Sequence, residues 1–218
     1  MKAVIFDMDG VIVNSEAEWK SLEAAYFREL APAWTKEHDE RAVGLGVEDL
    51  HRFLVNEFEV RVTKNEFLDH CDITAKKIYE QRVDCAEGFL DLARELKHGG
   101  IKTAIASSSP AHWIRMVVDR FALSPLLDVI VSADDVGGRT KPHPDIYLEA
   151  AARLQVPTVE CLAIEDSAVG LLAAKRAGMK VAGYRNGTND GQDLSIADFE
   201  LGDFRGLSYE KLIARLRR

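Results

Sequence analysis

The stretch Met1-Lys2-Ala3-Val4-Ile5-Phe6-Asp7-Met8-Asp9-Gly10 decides the reading of this chain. Ala3 to Phe6 is a short apolar run rich in β-branched and aromatic residues, and it stops at two acidic residues and a glycine. That pattern predicts a buried parallel strand whose carboxyl end meets solvent. Ligands of open α/β sheets bind at that end, and if the extended geometry persists, a period of two turns Asp7 and Asp9 to the same side. Two carboxylates then face one small volume.

Downstream, the pattern is helical before it alternates. Glu16 to Leu30 carries Trp19, Leu22, Tyr26 and Leu30 at helical spacing, with Ser15 as expected N-cap and Glu16 and Glu18 in the first turn. Val47 to Phe58 and Lys64 to Tyr79 read as further helices, so residues 14–83 are expected to form a small helical bundle. After Asp84 the texture changes. Strands are predicted at Ile101–Ala106, Asp128–Ser132, Glu160–Ile164 and Met179–Tyr184, separated by helices over Glu87–Lys97, Ala111–Phe121, Ile146–Leu154 and Ala168–Ala177. Strands alternating with helices of this length indicate βαβ units and an α/β fold with a doubly wound parallel sheet. The division expected is a core of residues 1–13 and 84–218, with 14–83 inserted as a separate helical lobe.

Composition narrows the function. The chain has 218 residues, 47% of them hydrophobic, enough for one substantial core and a smaller appended unit. A formal charge of −8 argues against a nucleic-acid partner. Cys71, Cys85 and Cys161 form neither a disulfide framework nor a zinc motif, there is no signal-peptide pattern, and no apolar run approaches a membrane span. A cytoplasmic monomer with no membrane partner is expected.

Four strand ends carry complementary polar groups: Asp7 and Asp9, then Ser107 and Ser108, then Lys141, then Glu165 and Asp166. Together they suit phosphoryl transfer. A carboxylate nucleophile approaching an anionic phosphate needs its charge offset. Mg²⁺ would do so on Asp7, Glu165 and Asp166, and Lys141 adds a fixed positive charge. Ser107 and the backbone N–H groups of Ser108 and Ser109, beside a helix N-terminus, hold phosphate oxygens, and Asp9 moves the protons.

This set resembles the haloacid dehalogenase superfamily of phosphotransferases: D-x-D-G is Asp7-Met8-Asp9-Gly10, the second-strand serine is Ser107, the lysine is Lys141 in K-P-H-P-D, and the acidic pair is Glu165-Asp166. The resemblance implies a Rossmannoid core with an inserted α-helical cap domain, as in the subfamily of β-phosphoglucomutases and sugar-phosphate phosphatases. It also implies Asp7 as nucleophile, and a metal held by Asp7, the Asp9 carbonyl and Asp166. Asp9 argues against dehalogenation, since the dehalogenases lack the second acidic residue. The family's mutases carry a histidine in the first cap helix where this chain has Trp19, and an arginine in the cap loop where Gly44-Leu45-Gly46-Val47-Glu48 has none.

The expectation is therefore a Mg²⁺-dependent phosphatase acting on a small phosphorylated metabolite, a sugar phosphate by resemblance. A phosphosugar mutase and a non-catalytic sensor of a phosphorylated ligand are the alternatives; hydrolysis of an aryl phosphate that EDTA abolishes separates an enzyme from a sensor. Trp19 and Lys76 are candidate substrate contacts in the cap, although Trp19 also suits cap core and Lys76, with Lys77, a solvated face. His112 could reach a substrate from the helix after Ser107 but reads first as a solvated first-turn residue, His143 reads as inert within its motif, and Asp134 and Asp135 read as loop residues.

Overall fold

The computed structural model describes residues 1–42 and 44–217. The first strand, β1 (Ala3–Phe6), is buried throughout. Its alternate residues serve opposite faces: Val4 and Phe6 join one apolar cluster, and Ala3 and Ile5 the other. Both faces are thus covered, which explains why the run is continuously apolar.

After β1 come α1 (Glu16–Leu30), α2 (Lys36–Ala42), α3 (Val47–Phe58) and α4 (Lys64–Lys77), the last running into a five-residue π-helix, Ile78–Arg82. Thr63 opens α4 with a capping box completed by Glu66. The alternating part follows: α5 (Phe89–His98), β2 (Lys102–Ala106), α6 (Ala111–Arg120), β3 (Val129–Val131), α7 (Asp145–Leu154), β4 (Cys161–Glu165), α8 (Ala168–Arg176) and β5 (Lys180–Tyr184). The chain then adds β6 (Phe199–Leu201) and α9 (Tyr209–Leu216).

The strands form one six-stranded sheet in the order β3-β2-β1-β4-β5-β6, with every pairing parallel. Helices α5 and α6 pack on the Phe6 face through Phe89, Leu92, Ile114 and Val117, whereas α7 and α8 pack on the Ile5 face through Ile146, Ala150 and Leu171. The expected doubly wound α/β sheet is present.

Several local expectations change. Ser15 has helical dihedrals and makes no side-chain cap bond; its hydroxyl is spent on Asp9. The helix expected to reach Tyr79 ends at Lys77, and Tyr79 lies in the π-helix. Beyond Phe6 the chain does not stay extended: the amides of Val11, Ile12 and Val13 all turn back onto the Met8 carbonyl.

Candidate active site

Strand order sets the location. It reverses between β1 and β4, the point where doubly wound sheets open a crevice. The pairing of Phe6 with Ile164 places Asp7, just past β1, beside Glu165, the last residue of β4. Lys141 lies between them, its Nζ 2.5 Å from Asp7 Oδ1 and 2.5 Å from Glu165 Oε1. The Tyr147 hydroxyl on α7 and, at 3.3 Å, the Ser167 hydroxyl also donate to Glu165. Both oxygens of Glu165 are so occupied, one of them by the Lys141 ammonium.

Two glycines make this approach possible. Gly10 has φ +76°, and a Cβ there would stand 1.9 Å from Asp166 Oδ2, so the residue after Asp9 must tolerate the left-handed region and leave room for Asp166. A Cβ on Gly170, in the first turn of α8, would lie 2.1 Å from the Glu165 carboxyl carbon. Glu165 therefore passes under the start of α8, which Ser167 caps through the Gly170 amide. Asp166 is fixed from the next strand end: Asn186 donates to its Oδ2 at 2.9 Å and to the Gly10 carbonyl at 3.0 Å, while Asn189 ties the Asp166 backbone carbonyl at 2.7 Å.

The loop after β2 supplies three buried serines. The Ser109 amide donates to Ser107 Oγ, and Ser109 Oγ donates to Asp9 Oδ2 at 2.9 Å. Ser108 Oγ is buried with no partner among the described residues, which suits a hydroxyl awaiting a ligand. The other oxygen of Asp9 accepts from Ser15 Oγ at 2.6 Å and from the Tyr79 hydroxyl at 2.7 Å. Tyr79 in turn accepts from the Trp19 indole, whose ring packs 5.1 Å from that of Trp113 on α6. The inserted helices thus reach the second aspartate directly.

Negative charge is in excess. Burial first, then the charge of Glu165, pushes Asp7 up to about 8 despite Lys141, and Asp9 adds to the rise. Burial and the neighbouring Glu16 raise Asp166 well above the usual carboxylate range. Glu16 itself is pushed up to about 7, by burial and then by Asp9. Burial would lower Lys141, but Asp7 and Glu165 outweigh it and hold the ammonium charged. One cation among this many carboxylates leaves a deficit of positive charge. Asp7, Glu165 and Asp166 each offer an oxygen within 4.8 Å of the others, so the donor set fits a hard divalent cation. Glu165's existing bonds leave Asp7 and Asp166 as the more available pair.

The structure therefore brings Asp7, Asp9, Ser107, Ser108, Lys141, Glu165 and Asp166 to one sheet edge. The chain bends beyond Phe6, yet Asp9 is still near enough for its charge to raise Asp7. Trp19 reaches the rim through Tyr79. Lys76 does not join: it is exposed in the last turn of α4, like Lys77. His112 is not merely solvated, since its Nε2 lies 2.8 Å from Asp72 on α4, as does the Trp113 indole at 2.6 Å. His143 is exposed. Asp134 caps Ala111 and Asp135 bonds Ser132 and Arg153. The sequence reading missed Tyr79, Tyr147, Glu16 and Asn186. Only Asn186 carried a signal, as a polar residue two positions past the fifth strand.

Comparison with known proteins agrees with this geometry. The chain is 28% identical over 219 residues to hexitol phosphatase B of Escherichia coli K12, covering 97% of this chain and 96% of that one. It is 32% identical over 222 residues to beta-phosphoglucomutase of Bacillus subtilis, covering 97% and 94%. The crystal structure of CbbY from Rhodobacter sphaeroides in complex with phosphate superposes with a TM-score of 0.81 at 24% identity, over 98% of this chain and 99% of that one, a likeness of fold. The model of the family "Haloacid dehalogenase-like hydrolase" matches residues 4–184, a span that begins inside β1, ends with β5 and contains Asp7, Asp9, Ser107, Ser108, Lys141, Glu165 and Asp166. The chain belongs to the haloacid dehalogenase-like hydrolases.

Proposed function

We propose that this protein is a Mg²⁺-dependent phosphatase that hydrolyses a small phosphorylated metabolite, a sugar or sugar-alcohol phosphate, through an aspartyl-phosphate at Asp7. Residues 14–83 act as its cap, and residues 1–13 and 84–218 as its catalytic core. The observation that carries the reading is the pairing of two carboxylates in different settings. Asp7 is buried against Lys141, and Asp9, two residues on, is held by hydroxyl groups. The first setting suits attack and the second suits proton transfer.

Asp7 attacks phosphorus, and the bond to the ester oxygen breaks as the new Asp7–phosphorus bond forms. Asp9 gives its proton to the departing alkoxide, then takes one from the water that attacks the aspartyl-phosphate, releasing inorganic phosphate. Lys141 and the hydroxyl of Ser108 face the phosphate oxygens, and Ser107 and Ser109 shape the loop that holds them. Mg²⁺, held by Asp7 and Asp166, would offset the charge that otherwise keeps two anions apart. Similarity to a hexitol phosphatase supports the substrate class. Three free cysteines support a reducing cytoplasm.

Incubating the purified protein with phosphorylated metabolites and Mg²⁺ tests this reading: wild type releases phosphate from a sugar phosphate, EDTA stops it, and Asp7→Asn lowers turnover by at least about 10³-fold. Phosphate release persisting in Asp7→Asn would sink it. The similarity to beta-phosphoglucomutase favours a second reading, a mutase. Isomerisation of a hexose 1-phosphate primed by a bisphosphate, without net phosphate release, would select it; Trp19, where the mutases have a histidine, favours water as acceptor.

A further inference from the structure

Helix α1 contains an anomaly that the phosphoryl-transfer machinery does not use. Its buried residue is Glu23, 2% exposed. An amphipathic helix places Leu, Phe or Ala at such a position, because a carboxylate there must be fully hydrogen-bonded to be tolerated. Glu23 is only half satisfied. Its Oε2 lies 3.0 Å from His70 Nε2, and His70 is held in place by stacking on Tyr26, with ring centroids 3.6 Å apart. Oε1 is buried and has no partner among the described residues. Leaving a buried acceptor unmet costs on the order of 1–3 kcal/mol.

The direction of this side chain gives the vacancy a meaning. Glu23 follows Trp19 by four residues, so the two share one helical face about one turn apart. Trp19 packs against Tyr79 and Trp113, and Tyr79 bonds Asp9. Asp9, Tyr79 and Trp19 are joined by hydrogen bonds, and Glu23 stands one turn of α1 beyond Trp19 on the same face. The alkoxide that leaves phosphorus as Asp7 attacks departs on the Asp9 side, because Asp9 must protonate it. We propose that Glu23 is a specificity-determining residue whose free Oε1 accepts a hydrogen bond from a hydroxyl of the substrate's leaving group, selecting polyhydroxylated phosphate esters. The inference rests on the phosphatase reading above. His70 and Tyr26 act as positioning residues that hold Glu23 by its other oxygen. A buried acceptor also rejects esters with no hydroxyl to offer it, since those leave it unpaired.

Glu23→Gln and Glu23→Leu test this with hexose and hexitol 6-phosphates on one side and p-nitrophenyl phosphate on the other. The loss of kcat/KM for the best sugar ester should exceed the loss for the aryl ester by tenfold or more in Glu23→Leu, with the excess in KM rather than kcat. Glu23→Gln, which keeps an acceptor and the shape, should fall between. Equal losses on both esters, or no loss on either, would overturn the proposal. Binding separates it from the catalytic reading. In Asp7→Asn protein, calorimetry should show a hexose or hexitol 6-phosphate bound at least tenfold more weakly once Glu23→Leu is added. Unchanged affinity, or no binding of any of them to Asp7→Asn, overturns the inference even if wild type proves to be a phosphatase. Should wild type hydrolyse nothing while that tenfold difference is present, the catalytic reading falls and this one stands.

Discussion

Gly170 shows how a single absent methyl group holds the site in register. The Glu165 carboxylate occupies the space its Cβ would need, and Lys141, Tyr147 and Ser167 pin that carboxylate from three sides, so it has nowhere to retreat. Gly170→Ala is expected to destabilise the fold by about 1–3 kcal/mol, as overpacking does. By displacing Glu165 it should also misplace Lys141 and lower kcat at least tenfold. Urea melts and steady-state kinetics check both; a variant with wild-type stability and kcat would mean that Glu165 yields easily and does not aim Lys141. This dependence illustrates what is legible at the residue scale. Asp7, Ser107 and Asp166 could be picked out because each stands past an apolar run at a strand's carboxyl end, and Lys141 because it opens K-P-H-P-D in the loop after the third strand. Their supports could not: Tyr79 and Tyr147 sit in helices among other apolar residues, and only the fold brings their hydroxyls to Asp9 and Glu165. Ser15 was visible but assigned to the wrong partner, since a serine before a helix suits a cap equally well.

The strands β1 to β5 were readable because a parallel sheet buried on both faces writes itself as short apolar runs between helices. The edge strand β6 has three residues and α2 has seven, lengths at which periodicity carries little information, and α9 lies beyond the last βαβ unit. How the inserted helices dock was not readable at all, because it depends on pairs far apart in sequence. Asp49 at the start of α3 accepts from Thr140, beside Lys141, at 2.7 Å. Asp72 of α4 meets both His112 and the Trp113 indole of α6. Gly46, before α3, is close enough that a Cβ would stand 3.1 Å from the Ser108 carbonyl. These contacts seat the helices over the loops that carry Ser107, Ser108 and Lys141, and they bring Tyr79 to Asp9. Asp72→Ala removes two of them without opening a buried cavity. It is expected to lower kcat/KM three- to tenfold while shifting Tm by no more than a few degrees. Loss of Tm without loss of kcat/KM would assign Asp72 to stability instead.

At the scale of the whole molecule, the chain folds with its densest charge conflict at the switch point of its sheet. The formal charge of −8 is spread over a surface where ions are screened, but Asp7, Glu165 and Asp166 are buried with Lys141 as counter-ion. Desolvation and mutual repulsion therefore raise Asp7 and Asp166 in the metal-free fold. A carboxyl whose folded pKa exceeds its unfolded one binds a proton on folding. Its contribution to stability is complete below the unfolded value of 3.8 and is lost as pH rises through the folded value, about 8 for Asp7. The metal-free protein is accordingly expected to lose stability between about pH 4 and pH 8 from these groups. A divalent cation held by the same carboxylates competes with their protons, so it should restore more stability at high pH than at low. Thermal melts in Mg²⁺ and in EDTA at pH 5.5, 7 and 8.5 measure this. The Tm increment from Mg²⁺ should grow with pH in wild type and shrink sharply in Asp166→Asn, whereas an increment that is flat with pH, or equal in the two proteins, would place the cation elsewhere.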